Sequence, residues 1–326
     1  ELNRVITEFR QALQNPGSDE KTPAKILYSW LIKPLENDLK QSGAKTIIYA
    51  PDGQLRYIPL SALHDWEQWL VQRLNINNIT AKSLTDFTAK PQPQPKLLAG
   101  AFVNGNHNVQ VLGDSYRFRG LPYAGKEVEN LTKLLPKTTK LIDKEFDKAS
   151  TTVKMNEYNI VHFATHAAFV PGDASKSFIL FGDGDIANLK EIGNWTLNNV
   201  DLVVLSACQT GIGGKFGNGE EILGLGYQFQ PRGVRATIAS LWKVSDDGTQ
   251  LLMNSFYNVL QQKKITKAEA LRQAQIALIT NDYSAVGGKR GGLFVEGDND
   301  DKLKQTDSKL QHPYYWAPFI LIGNGL

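Results

Sequence analysis

The sequence predicts an α/β protein built on a mostly parallel sheet with helices on both faces. Three observations carry this. Short runs of branched apolar residues, Leu202–Leu205 foremost, have the pattern of strands buried on both faces. Segments with apolar residues at helical spacing alternate with them. The apolar runs also end in loops of small residues, and the carboxyl edge of such a sheet is where α/β proteins bind ligands.

The elements follow in order. Leu2, Val5, Ile6, Phe9 and Leu13 make a helix over 2–13 that stops at Asn15-Pro-Gly17. A second helix is expected over about 23–40, with Leu27, Trp30, Leu31 and Leu35 inward and a kink at Pro34. Apolar runs at 46–50 and 55–58 flank Pro51-Asp-Gly53, a hairpin signal. A short strand at 75–80 precedes the proline-spaced connector Lys90-Pro-Gln-Pro-Gln-Pro-Lys96, which marks a boundary. Three units result: helices over 1–42, a hairpin subdomain over 43–95 and a core over 96–326.

Within the core, strands are expected at 97–102, 140–142, 160–166, 178–181, 202–207, 236–241 and 319–322, with a central sheet of six. Helices are expected at 123–135, 148–157, 219–229, 246–262 and 266–280. The stretch 283–312 is rich in Gly, Asp and Lys without apolar period and reads as an insertion loop.

Composition narrows the function. The 326 residues carry 36 basic against 33 acidic side chains, a net charge of +3 too small to argue for nucleic acid. No apolar run is long enough to span a bilayer. A single cysteine excludes an internal disulfide framework and points to the cytoplasm, and scattered Cys, His and carboxylates leave no metal site. The start at Glu1, already in helical pattern, reads as a fragment of a longer chain.

That single cysteine, Cys208, ends a core strand and opens the glycine-rich loop 211–219; its plain alternative is a small buried core residue. His166 ends the run 160–166 in the same way, and neighbouring strands would bring the two to one sheet edge. His162 is four residues away, about 13 Å along a strand, and reads as a core side chain. His64, His107 and His312 sit in turns or loops without companions. The glycine spacing of 211–219 fits neither a phosphate loop nor a dinucleotide fingerprint, and the acidic stretches near 183 and 298 do not fit a calcium loop. Asp246 either caps a helix together with Ser245 or stands as a carboxylate at the same edge as Cys208.

The motifs His162-Phe-Ala-Thr-His166, Leu205-Ser-Ala-Cys-Gln-Thr-Gly211, Gly219-Glu-Glu-Ile-Leu-Gly-Leu225 and Ala239-Ser-Leu-Trp-Lys-Val-Ser-Asp246 together resemble the CHAT domain. Phe256-Tyr257, Lys267-Ala-Glu-Ala-Leu-Arg272 and His312-Pro…Trp316-Ala-Pro-Phe-Ile-Leu-Ile-Gly323 extend the likeness, as does Ile48-Tyr-Ala-Pro-Asp-Gly…Ile58-Pro-Leu60, so that it covers about 280 residues. The resemblance implies a caspase-like three-layer sandwich and a cysteine peptidase related to caspases and separase, of a kind often attached to tetratricopeptide repeats. Helices 1–42 are then a connector to, or the end of, such a repeat region. Cys208 would be the nucleophile, His166 its base, and the backbone N–H groups of Ala167 and Cys208 the oxyanion donors. Ala167 stands where the family usually has glycine. No cofactor is implied.

The resemblance to separase also assigns Asp246 to binding a substrate arginine. The chain agrees, since 166–176 and 206–219 hold no arginine to receive an acidic substrate residue. Asp173 is a second acidic candidate, and Lys289-Arg290 within glycines a candidate autocleavage point. The expected partners are a protein substrate and repeats or an activator, with no nucleic acid and no membrane. The rival expectation is a catalytically silent or activator-dependent interaction module on the same fold.

Overall fold

The branched apolar runs do form the middle of one sheet. The computed structural model describes residues 1–82, 85–87, 94–169, 176–206, 208–210, 228–242, 244, 246–262, 265–287 and 309–326; at 169, 208–210 and 246–247 only the backbone is described. In chain order the elements are α1 (Leu2–Leu13), α2 (Lys21–Leu31), α3 (Glu36–Gln41), β1 (Thr46–Tyr49), β2 (Asn75–Asn78), β3 (Leu97–Ala101), β4 (Asn106–Val111), β5 (Asp114–Arg119), α4 (Pro122–Leu134) and β6 (Thr138–Ile142). Then follow α5 (Lys148–Lys154), β7 (Ile160–Ala164), β8 (Ala167–Phe169), β9 (Phe178–Leu180), β10 (Ile186–Asn188), α6 (Leu189–Ile192), β11 (Leu202–Leu205), β12 (Cys208–Thr210), β13 (Ala236–Ser240), α7 (Asp246–Leu260), α8 (Lys267–Thr280), α9 (Pro313–Trp316) and β14 (Phe319–Gly323).

The central sheet has the order β1-β2-β14-β13-β11-β7-β3-β6. From β13 to β6 every pair is parallel; β14 turns antiparallel to β13, and β2 and β1 run with β14. Six of the seven strands expected in the core, β14 to β6, form this sheet, and β1 and β2 widen it to eight; the seventh, at 178–181, is β9 and pairs antiparallel outside it. Alternation along each strand sorts side chains between the faces. Ile160, Ala164, Leu202 and Val204 pack with α1, α2, α4, α7 and α8, whereas Val161, Phe163, Val203 and Leu205 pack with Met155, Leu189 and Ile192 on the other side. The result is an α/β three-layer sandwich.

Several local expectations need correction. Residues 46–58 do not form a hairpin: β1 pairs in parallel with β2, and Gly53–Tyr57 is a 3-10 helix. The Asp52 carboxylate accepts from the Gly53 amide and caps that helix, and Tyr57 at its end is buried, so the Asp-Gly pair serves a helical turn. The helix expected over 23–40 breaks into α2, a 3-10 turn at Lys33–Leu35 and α3, because Pro34 cannot supply the amide a continuous helix needs. Its buried stripe is Ala24, Leu27, Tyr28 and Ile32, while Trp30 and Leu35 are 40% and 49% exposed. The strand expected over 160–166 ends at Ala164 as β7 in the main sheet; Thr165 and His166 form a break, and β8 begins after them in a second sheet of order β10-β9-β8-β12. The stretch 103–121, unassigned from sequence, holds the β4–β5 hairpin. The loop 211–219, most of the helix at 219–229 and most of the insertion loop 283–312 lie outside the described residues.

Candidate active site

Three parallel strands, β7, β11 and β13, end together at the carboxyl edge. Two of them continue across a short break into the second sheet. After Ala164, Thr165 donates its hydroxyl to the Leu180 carbonyl at 2.9 Å and the chain re-enters extended structure as β8. After Leu205, the Ser206 amide bonds the Phe163 carbonyl at 3.1 Å and the chain resumes as β12. The strands β8 and β12 pair in parallel with Cys208 directly opposite Ala167, an interstrand spacing of about 4.8 Å. His166 immediately precedes Ala167, so the two residues singled out at strand ends occupy neighbouring positions on paired strands. The Cys208 side chain lies outside the described residues.

The His166 ring is fixed on several sides. It is 6% exposed, and its Nε2 lies 2.7 Å from the Arg119 carbonyl at the end of β5. A carbonyl only accepts, so Nε2 carries the proton and Nδ1 is the basic nitrogen. Phe118 packs against the imidazole at 4.9 Å between centroids and Phe102 at 6.3 Å. Phe102, Val109, Val111, Phe118, Ala168, Phe178 and Leu180 form a small core of their own, which seats the β4–β5 hairpin against β8. The Arg119 carbonyl had no signal in the sequence, because every residue carries one. Phe118 could have been found from the alternation of Val109, Val111 and Phe118 around Gly113.

Ala167 has no positive φ and lies in extended structure, so alanine carries no backbone strain where the family usually has glycine. The Leu180 amide bonds the His166 carbonyl at 2.9 Å. Alternation then turns the N–H of Ala167 away from β9 and towards the strand of Cys208.

Behind the edge lies a buried polar cluster. His162, on β7, is fully buried; its Nδ1 meets the Tyr257 hydroxyl at 3.0 Å and its Nε2 lies 2.9 Å from Glu127 Oε1 on α4. This second contact is electrostatic, since neither atom makes a directed hydrogen bond. Ser206 Oγ donates to Glu127 Oε2 at 3.4 Å. Burial, and then the charge of Glu127, push the Tyr257 hydroxyl well above its ordinary value, so it stays protonated and donates to Nδ1. His162 is thus the core side chain it was read to be.

The other histidines stand elsewhere. His64 takes the Trp66 amide, His107 packs on Phe102 and meets the Gly182 carbonyl at 3.0 Å, and His312 lies 3.1 Å from Glu20 Oε2. Asp246 opens α7, after β13; its side chain, Asp173, Lys289 and Arg290 lie outside the described residues. Among the described residues no group of His, Cys, Asp and Glu side chains is arranged to hold a metal ion, and no helix is long and apolar enough to cross a membrane.

A family model described as the CHAT domain matches residues 21–324. Human tetratricopeptide repeat protein 28 is 22% identical over 94% of this chain and 13% of its own length, so the chain spans about an eighth of that relative. Among solved structures, the complex of Porphyromonas gingivalis RgpB pro- and mature domains superposes with a TM-score of 0.53 at 10% identity, covering 99% of this chain and 76% of that one. The Arg-specific cysteine proteinase gingipain R (RgpB) gives a TM-score of 0.43 at 12% identity over 78% of this chain and 55% of that one. At these identities the first shows a shared fold and no more.

Proposed function

This chain belongs to the CHAT domain family, and from that premise we propose that it is a cysteine endopeptidase of the caspase and separase type, cutting protein substrates after arginine or lysine. The observation that carries the reading is the register of β8 and β12, with Cys208 opposite Ala167 and His166 held through Nε2 by the Arg119 carbonyl. In this mechanism Nδ1 of His166 takes the proton of the Cys208 thiol, and the thiolate attacks the scissile carbonyl. The Ala167 and Cys208 N–H groups receive the oxyanion. The imidazolium, steadied by the Arg119 carbonyl, returns its proton to the leaving amine. Water, deprotonated by the same nitrogen, then hydrolyses the thioester. Asp246, with Asp173 as a second acidic group, binds the guanidinium or ammonium of the residue before the cut. The reducing cytoplasm suits a lone thiol, and tetratricopeptide repeats or an activating partner fit the family.

One observation favours the second reading, a silent or activator-dependent module: His166 is 6% exposed beneath Phe102 and Phe118. An enclosed base awaits a rearrangement of the hairpin above it.

The test is a panel of fluorogenic peptides ending in Arg, Lys, Asp or Leu. Cys208→Ala and His166→Ala are each expected to lower turnover by about a thousandfold or more. Cys208→Ala should leave the melting temperature little changed, whereas His166→Ala, which empties a buried ring site beside Phe118 and strands the Arg119 carbonyl, should lower it as well. Asp246→Ala is expected to lose the Arg and Lys preference. A preference for Asp-ending peptides, or wild-type turnover in Cys208→Ala, would overturn the assignment. A panel inactive throughout would favour the module. Self-cleavage after Lys289 or Arg290 is read by intact mass beside Cys208→Ala; an uncut wild type after long incubation removes it.

A further inference from the structure

Helix α1 lies outside the residues matched by the family, 21–324. Its apolar face nevertheless enters the main core through Val5, Ile6, Phe9 and Leu13. On that face Arg10 is only 3% exposed. Burying a guanidinium is costly unless its donors are satisfied. Its Nη1 donates to the Tyr57 carbonyl at 3.0 Å and its Nη2 to the Leu241 carbonyl at 3.2 Å, with the guanidinium carbon 4.9 Å from the centre of the Tyr57 ring.

Leu241 is the first residue beyond β13, at the sheet edge that carries the site. Its amide bonds the Pro318 carbonyl at 2.9 Å, and the indole of Trp242 bonds the Tyr314 carbonyl at 3.2 Å. Asp246 then begins α7. The chain therefore leaves the sheet towards Asp246 from a point anchored on both sides, by the segment 314–318 and by α1. We infer that Arg10 is a positioning residue for the substrate-binding segment 241–246, acting through the Leu241 carbonyl. The inference rests on Asp246 being the substrate-binding carboxylate. A planar fork spans two carbonyls, whereas a lysine ammonium is a single point charge.

Hydrogen exchange and kinetics on the full chain test this with Arg10→Met, and with Arg10→Lys in case the first variant does not fold. Amides of 242–247 are expected to exchange about threefold to tenfold faster in either variant, the scale of one lost hydrogen bond, while β7 and β11 keep their protection. KM for Arg-ending peptides should rise by a similar factor, with kcat and the alkylation rate of Cys208 nearly unchanged. Unchanged exchange at 242–247 would overturn the inference, as would acceleration spread evenly over the central sheet, which marks a residue of general stability. A wild type without peptidase activity would remove the Asp246 reading, and the exchange measurement would still decide whether Arg10 holds the segment.

Discussion

Glu127 illustrates what single residues contribute here. It lies 2.9 Å from His162 and accepts from Ser206, all three buried, and Ser206 is two positions before Cys208. Removing one partner of such a pair strands the others in a low-dielectric core. Glu127→Ala, which leaves the His162 Nε2 side and the Ser206 hydroxyl without their acceptor, is therefore expected to lose about 2–4 kcal/mol of unfolding free energy, and Glu127→Gln, which keeps an acceptor near Ser206, about 1–2 kcal/mol. Urea denaturation followed by tryptophan fluorescence measures both. A loss below about 1 kcal/mol for Glu127→Ala would mean the core solvates His162 and Ser206 by other means. Cys208 and His166 stand out in the sequence because each ends an apolar run, and Asp246 because of the motif around it; their roles are proposals. Glu127 does not, since on a helix its charge reads as a solvated face, and only the tertiary fold turns it towards His162.

At the scale of elements, the β4–β5 hairpin is the piece that completes the site, through Phe118 and the Arg119 carbonyl. Its two-residue loop, Leu112-Gly113, has positive φ at both positions, 47° and 89°, the geometry a tight hairpin favours. The sequence hid it because leucine is an uncommon residue there and half the flanking side chains are exposed. Asp52-Gly53, the stronger signal on paper, caps a 3-10 turn. The three-residue strands β8 and β12 were equally invisible, being too short to show a period, although the buried runs of β7, β11 and β13 showed plainly. Asp143 ties the base of the hairpin down: its carboxylate accepts from the Val103 amide at 2.6 Å and the Asn104 amide at 3.0 Å. Burial alone would raise its pKa, but these amides, the Asn104 side chain and His107 hold it below the ordinary carboxylate value. A carboxylate with a depressed folded pKa stabilises above its unfolded value, about 4, and that contribution is lost as pH falls through the lower folded value. Asp143→Asn, which tolerates the same positive φ of 49°, should therefore melt below the wild type near neutral pH. The gap should close as pH falls from about 4. Melting curves across that range check it, and a gap that stays constant with pH would place the effect in shape rather than charge.

The whole molecule is wider than its family match. The sequence separated helices 1–42 and a segment 43–95 from the core, and the proline connector that motivated the second boundary lies mostly outside the described residues. Packing joins all three stretches: β2 bonds β14 within the central sheet, and α1 and α2 share one apolar cluster with α4, α7 and α8. Periodicity shows that a helix has an apolar face but not which surface receives it, so this union could not be read from spacing. It has a measurable consequence. Val5, Ile6, Phe9 and Leu13 are each at most 2% exposed. Burying four such side chains contributes about 6–12 kcal/mol gross, offset by the cost of ordering the helix, against a net stability of about 5–15 kcal/mol for a whole protein. A chain trimmed to the matched segment, starting at residue 21, would uncover the apolar surface those side chains fill and remove the buried donors of Arg10 at once. It is expected to aggregate, or to unfold without a sharp transition, where the full chain unfolds cooperatively. Size-exclusion chromatography and thermal scans of the two proteins side by side decide it. A monodisperse trimmed chain with an unchanged melting temperature would show that α1 is an appendage rather than part of the core.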